Sequence, residues 1–162
     1  MKALPFTLLF VLGATFVTAL TSVSFERAAR DADLVVVGRY IADESRRPQL
    51  EVEEVLKGST RLRILTIREP EQFYFAPEHG NSYFVALDRR HRPLPADSAC
   101  GTVNILGIDG EYVFKIQDVL AAPDFEEWVR QRVYDFGSDG SRVTVGEMKS
   151  RIAESIVEER TK

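Results

Sequence analysis

The stretch LEVEEVLKGST, Leu50 to Thr60, alternates apolar and acidic side chains and then breaks at Lys57-Gly58-Ser59. Successive side chains of a strand point to opposite faces, so Leu50 and Val52 fall on one side of a sheet and Glu51 and Glu53 on the other. Glu54-Val55-Leu56 shifts that alternation by one residue, which predicts a bulge. Lys57-Gly58-Ser59 supplies a tight turn, and RLRILTI resumes with Leu62 and Ile64 to one side and Arg61 and Arg63 to the other. Together the two runs read as a β-hairpin with one wet face.

The pattern spreads outward from this hairpin. Upstream, LVVVGRYI (34–41) is β-branched, too short for an independent helix and dense enough for a central strand, with Gly38 marking a bulge or bend. Ser24 N-caps a short helix ahead of it. Downstream of Pro70 comes a loop with Phe73, Tyr74 and Phe75, then the strand SYFVALD (82–88), then the basic, proline-punctuated loop 89–101. TVNILGI, Asp109-Gly110 and EYVFKI form a second hairpin, since Asp-Gly suits the positive φ angles of a primed turn. These five to six short strands predict a mainly β fold, an OB-fold-like antiparallel barrel over residues 20–120, closed or nearly so. Val36, Val52, Ile64, Val85 and Val113 are expected in its core.

After residue 120 the apolar period changes from two to 3.6. Asp124 and Glu127 resemble a capping box, and Phe125, Trp128, Val129, Val133 and Phe136 share one helical face before Gly137. Thr144 and Glu147 make a second box ahead of Met148, Ile152 and Ile156. Two C-terminal helices packed on the barrel, within 121–162, are the expectation.

Compartment follows from the first residues. Met1-Lys2 and the apolar run Ala3 to Val17 have the length of a signal-peptide core and fall short of the ~20 residues of a bilayer span. Val17-Thr18-Ala19 places small residues for cleavage near Ala19, so residues 1–19 are read as a signal peptide and the protein as exported, periplasmic or secreted, with no membrane span after cleavage. The remaining 143 residues suffice for one domain with its own core, and loss of Lys2 moves the net charge from −4 to −5. An acidic exported domain lacks the basic footprint of a nucleic-acid binder. Cys100 is the only cysteine, so no internal disulfide forms and the thiol is either buried or open to a partner.

No catalytic motif stands out. His79 and His91 are isolated in loops outside any spaced ligand pattern, and nothing beside Cys100 matches a nucleophile signature, although a thiol enzyme using Cys100 remains one reading. No cofactor or metal is implied. Two features carry recognition chemistry instead. Phe73, Tyr74 and Phe75 beside Pro77 are aromatic anchors or rim plugs, and Arg89, Arg90 and Arg92 around His91 are a cationic patch on an acidic protein.

The segments carrying Ala32-Asp33 with the apolar run through Val37, then Val52, Val55, Leu56, Lys57 and Gly58, resemble the netrin-like or TIMP-like domains. Gly80 to Val85 (Gly-x-x-Tyr-Phe-Val) and Cys100-Gly101 complete the resemblance, which covers roughly Ser24 to Ile116. It implies an OB-fold barrel used for binding, of the kind seen in tissue inhibitors of metalloproteinases and in bacterial exported proteins. In the animal inhibitors a mature N-terminal cysteine binds the protease zinc. Here the predicted mature start is Leu20-Thr21-Ser22, with no cysteine, so that mechanism is not expected to carry over. The expected function is a monomeric, non-enzymatic binding module for a protein or anionic polysaccharide, with a loop-based inhibitor of an exported hydrolase as the alternative.

Overall fold

The computed structural model describes residues 24–41, 48–68, 78–94, 105–122, 125–134 and 136–160. Helix α1 (Phe25–Asp31) is followed by seven strands, β1 (Leu34–Ile41), β2 (Gln49–Lys57), β3 (Ile64–Thr66), β4 (Ser82–Leu87), β5 (Ile105–Asp109), β6 (Tyr112–Ala122) and β7 (Phe125–Tyr134), and then by helix α2 (Val145–Arg160). All pairings are antiparallel and the order is β3-β2-β1-β4-β5-β6-β7. The protein is therefore mainly an antiparallel sheet with a C-terminal helix, as the sequence predicts.

Strand β1 lies between β2 and β4 and is buried from Leu34 through Gly38. Its two faces feed two separate cores. Val35 and Val37 join Phe84, Ala86, Leu106 and Val113 under the helices, whose Phe25, Ala28, Ala29, Met148 and Ile152 complete that cluster. Phe25 meets Phe84 edge to face, with ring centroids 6.1 Å apart. Leu34 and Val36 point the other way, to Leu50, Leu65, Tyr83, Val85, Leu87 and Ile105. A flat sheet would hold β3 and β5 about 19 Å apart, at four spacings of the strand repeat. Their Leu65 and Ile105 nevertheless share this second buried cluster, so the sheet curls on itself.

That curl is not closed by a strand ladder, and the closed-barrel expectation is corrected accordingly. Residues 92–94 run back along the end of β4, with Leu94 N–H donating to the Ala86 carbonyl (2.9 Å), and the Arg68 N–H beyond β3 donates to the His91 carbonyl (3.0 Å). Among the described residues, one backbone hydrogen bond thus completes a ring through β3, β2, β1 and β4.

The opening stretch resolves as β2. Its pairing with β1 skips Leu56 and then Glu53, two bulges where one was expected. The acidic face is an ion-pair lattice. Glu51 pairs with Arg63 (2.9 Å), Glu53 accepts from Arg39 (2.8 Å) and Ser82 (2.7 Å), and Glu54 meets Lys149 of α2. Lys57 donates from its Nζ to the Ala29 and Arg30 carbonyls, capping the C-terminal end of α1. Gly58 has φ 77°, and a Cβ built there would overlap the Asp33 carbonyl oxygen, so this turn accepts glycine.

Other expectations need correction. Residues 58–63 form a six-residue connection, not a tight turn, and β3 takes the opposite register: Leu65 is fully buried while Ile64 is 48% and Leu62 54% exposed. Val36, Val85 and Val113 are in the core, and Val52 is half-buried against it. The largest correction concerns Phe125–Tyr134. This segment is not the first of two C-terminal helices but a ten-residue strand paired with β6 from Ala122↔Phe125 to Phe114↔Tyr134. The helical caps elsewhere match the sequence. Ser24 Oγ accepts from Arg27 N–H (3.3 Å) and Thr144 Oγ1 from Glu147 N–H (3.1 Å).

Candidate functional site

The basic loop is organised by Asp88 at the end of β4. Its Oδ1 accepts the backbone N–H groups of Arg90 (2.8 Å) and Arg92 (2.9 Å), and its Oδ2 accepts Arg92 Nε (2.7 Å). An aspartate gathering N–H groups just ahead of it is the usual reason for a fixed turn. Arg89 is held from the other side, through Nε to Asp33 Oδ1 (3.0 Å) and its N–H to Asp33 Oδ2 (3.1 Å). His91 adopts φ 58°, the left-handed region, which turns its carbonyl toward Arg68. The structure thus brings Arg89, Arg90 and Arg92 into one ordered loop and adds Arg68. Arg89 and Arg92 are paired with carboxylates, and the Arg90 side chain has no ion-pair partner among the described residues.

Burial by itself raises the Asp88 carboxyl, but the N–H groups of Arg92 and Arg90 and the Arg92 guanidinium outweigh it and hold the group below the ordinary carboxylate value. A depressed folded value stabilises the protein above the unfolded pKa, and that contribution disappears as pH falls through the folded one. Asp88→Ala is expected to lower stability by about 1 kcal/mol at neutral pH. The gap to wild type should begin to narrow as pH falls below the unfolded carboxylate value of about 3.9 and close only below the lower folded one. Urea titrations stepped downward from pH 7 through the acid range check this; a gap that does not narrow as pH falls would mean the loop is held by something other than the carboxylate.

Of the other sequence-derived site residues, Phe73, Tyr74, Phe75 and Cys100 lie outside the described residues. His79 is exposed in the turn before β4.

A second cluster escaped the sequence reading. On the face of the sheet that carries Tyr83, the far strands present Asp109 of β5, Tyr112 and Phe114 of β6, and Arg132 and Tyr134 of β7. Phe114 lies over Gly107, where any Cβ would collide with its ring. Arg132 stacks on Phe114 at 4.8 Å and is saturated by Glu78 (2.6 Å) and Asp109 (3.4 Å). Tyr134 donates its O–H to Asp109 Oδ2 (2.5 Å), and that bond holds its phenol above the ordinary value. Tyr83 is buried, accepts the Glu78 N–H at 2.9 Å, and is pushed up chiefly by burial.

The turn after β7 adds another cation. Gly137 N–H donates to the Ser141 carbonyl (2.7 Å), Asp139 Oδ1 accepts from Ser141 N–H (3.0 Å) and Oγ (2.7 Å), and Phe136 bridges to Arg142. Arg142 is thereby laid over Tyr134 at 4.2 Å and beside Tyr112 at 5.7 Å. The signal was the alternation Arg132-x-Tyr134, which is a shared face only once the segment is a strand.

No family model matches the chain, and no curated protein or solved structure is significantly similar to it. Among the described residues no group of three or more His, Cys, Asp or Glu is placed to hold a metal ion, and no helix is long and apolar enough to cross a membrane. Both clusters offer guanidinium groups on fixed backbone, a chemistry of recognising anionic groups.

Proposed function

We propose that the chain is an exported, monomeric, non-enzymatic binding module of the netrin- or TIMP-like OB type, acting in the cell envelope or outside it on an acidic protein or polysaccharide surface. The observation that carries this reading is the Asp88-organised loop. Its flanking arginines are tied to Asp33 and Asp88, while the Arg90 side chain, on a backbone fixed by Asp88, meets no carboxylate among the described residues. A cation presented this way loses little conformational freedom when it meets an anion. The curled sheet with β1 between β2 and β4 supports the barrel type, and the apolar run before Ala19 supports export.

The test is capture from envelope extract over a salt series. Arg90→Ala should weaken capture about fivefold at low ionic strength, equivalent to roughly 1 kcal/mol, and flatten the salt dependence. Unchanged capture would remove the loop from the binding surface. Intact mass of the exported protein should lack residues 1–19, and their retention would remove the export reading.

A further inference from the structure

The two stacked arginines of the β6–β7 face differ in one respect. Arg132 lies on Phe114 and has two carboxylates, Glu78 and Asp109, on its N–H edge. Arg142 lies on Tyr134 and Tyr112, is exposed, and has no ion-pair or hydrogen-bond partner among the described residues. Among the described residues, the carboxylates of its own turn and of the residues it stacks on are already engaged. Asp139 holds Ser141, Asp109 holds Tyr134 and Arg132, and Glu111 holds the Tyr112 phenol, raising it. With its Cζ 4.2 Å from the Tyr134 ring centroid and 5.7 Å from that of Tyr112, the guanidinium is held against aromatic faces, and a guanidinium stacked on a ring can still offer its edge N–H groups bidentately to a carboxylate. Phe136, bridged to Arg142 through the backbone, is 63% exposed. Arginine, tyrosine and phenylalanine gathered on an ordered surface match the composition of protein-interface anchors.

We propose that Arg142, with Tyr112, Tyr134 and Phe136, is a docking point for a protein partner, and that it takes a Glu or Asp side chain flanked by an apolar residue. The partner's carboxylate does for Arg142 what Glu78 and Asp109 do for Arg132, and its apolar neighbour covers Phe136. The site is separate from the Arg90 loop, so it stands or falls independently of the function proposed above.

The full chain is titrated with the capped peptide acetyl-Gly-Glu-Phe-Gly-amide and followed by NMR at the Arg142 Nε–H and the Tyr112, Tyr134 and Phe136 ring signals. Saturable shifts at these groups are expected, with at least tenfold weaker binding for the Gln counterpart. Arg142→Gln should abolish the shifts and leave the thermal midpoint and the Arg90 amide unchanged. Arg142→Lys, which keeps the charge but not the plane, should weaken binding several-fold. Equal binding of the Glu and Gln peptides would overturn the proposal, as would shifts that survive Arg142→Gln. So would a lower thermal midpoint of Arg142→Gln with peptide binding intact, which would make Arg142 a latch for its turn. Binding of a glucuronate oligosaccharide through Arg142 without any peptide response would overturn the choice of a protein partner.

Discussion

Leu65→Ala is expected to lower the unfolding free energy by about 2–5 kcal/mol, the range for truncating a fully buried leucine whose surroundings relax only in part. Ile64→Ala, one residue away, should stay within about 1 kcal/mol, because Ile64 is 48% exposed and leaves no cavity behind. The contrast is large because Leu65 fills the curled interior with Leu50, Val36 and Ile105, while Ile64 faces the open side of the edge strand. Urea denaturation of both variants with unchanged m-values measures it. If Ile64→Ala proved the more costly, β3 would be paired one residue out of register with β2.

Gly58→Ala is expected to cost about 2–4 kcal/mol, combining the left-handed φ of 77° with overlap against a backbone atom. The obstacle is the Asp33 carbonyl, which cannot move aside as a side chain end could. It belongs to the residue that leads into β1 and whose carboxylate holds Arg89. Gly110→Ala provides the control. Its φ of 60° is as unusual, but nothing lies within 4 Å, so a loss of about 1 kcal/mol is expected from the backbone term only. Equal losses at the two positions would mean that the Gly58 turn has room to adjust.

These two positions also mark how far the sequence can be read. The Leu50 to Leu56 run, the buried β1, the caps at Ser24 and Thr144 and the Asp109-Gly110 hairpin are local patterns, and each forms as its own residues dictate. RLRILTI is different, because its apolar residues at 62, 64, 65 and 67 fit either register. Pairing of Ile64 with Glu51 and of Thr66 with Gln49 decides between them. Phe125 to Phe136 is different again. Its apolar spacing suits a helix, but β6 offers it a ladder running from Ala122 to Phe114, and Trp128, Val129, Val133 and Tyr134 are good strand residues. Tertiary pairing outweighed a helical pattern with no competing Gly or Pro inside it.

The recognition surfaces were legible to the same degree. Three arginines in four residues announce a charge, but Asp33, which neutralises Arg89, lies 56 residues upstream and could not be assigned to it from spacing. The stacked pair Arg132 and Arg142 draws on three strands, β5, β6 and β7, and on the turns that hold Glu78 and Arg142. No window of sequence contains it.

Among the described residues, one backbone hydrogen bond, from Arg68 to His91, completes the ring of strands. A bond of that kind contributes a net ~0.5–1.5 kcal/mol, far below the whole stability of a domain this size. The Arg68 amide is therefore expected to exchange its hydrogen with solvent well ahead of the amides in the ladders of β1, β2 and β4. The Asp88 turn, which aims the His91 carbonyl, is expected to set that local opening, while the packed valines and leucines of β1 and β4 set the resistance to global unfolding. Local opening and resistance to unfolding, often two readings of one quantity, would then rest on different residues.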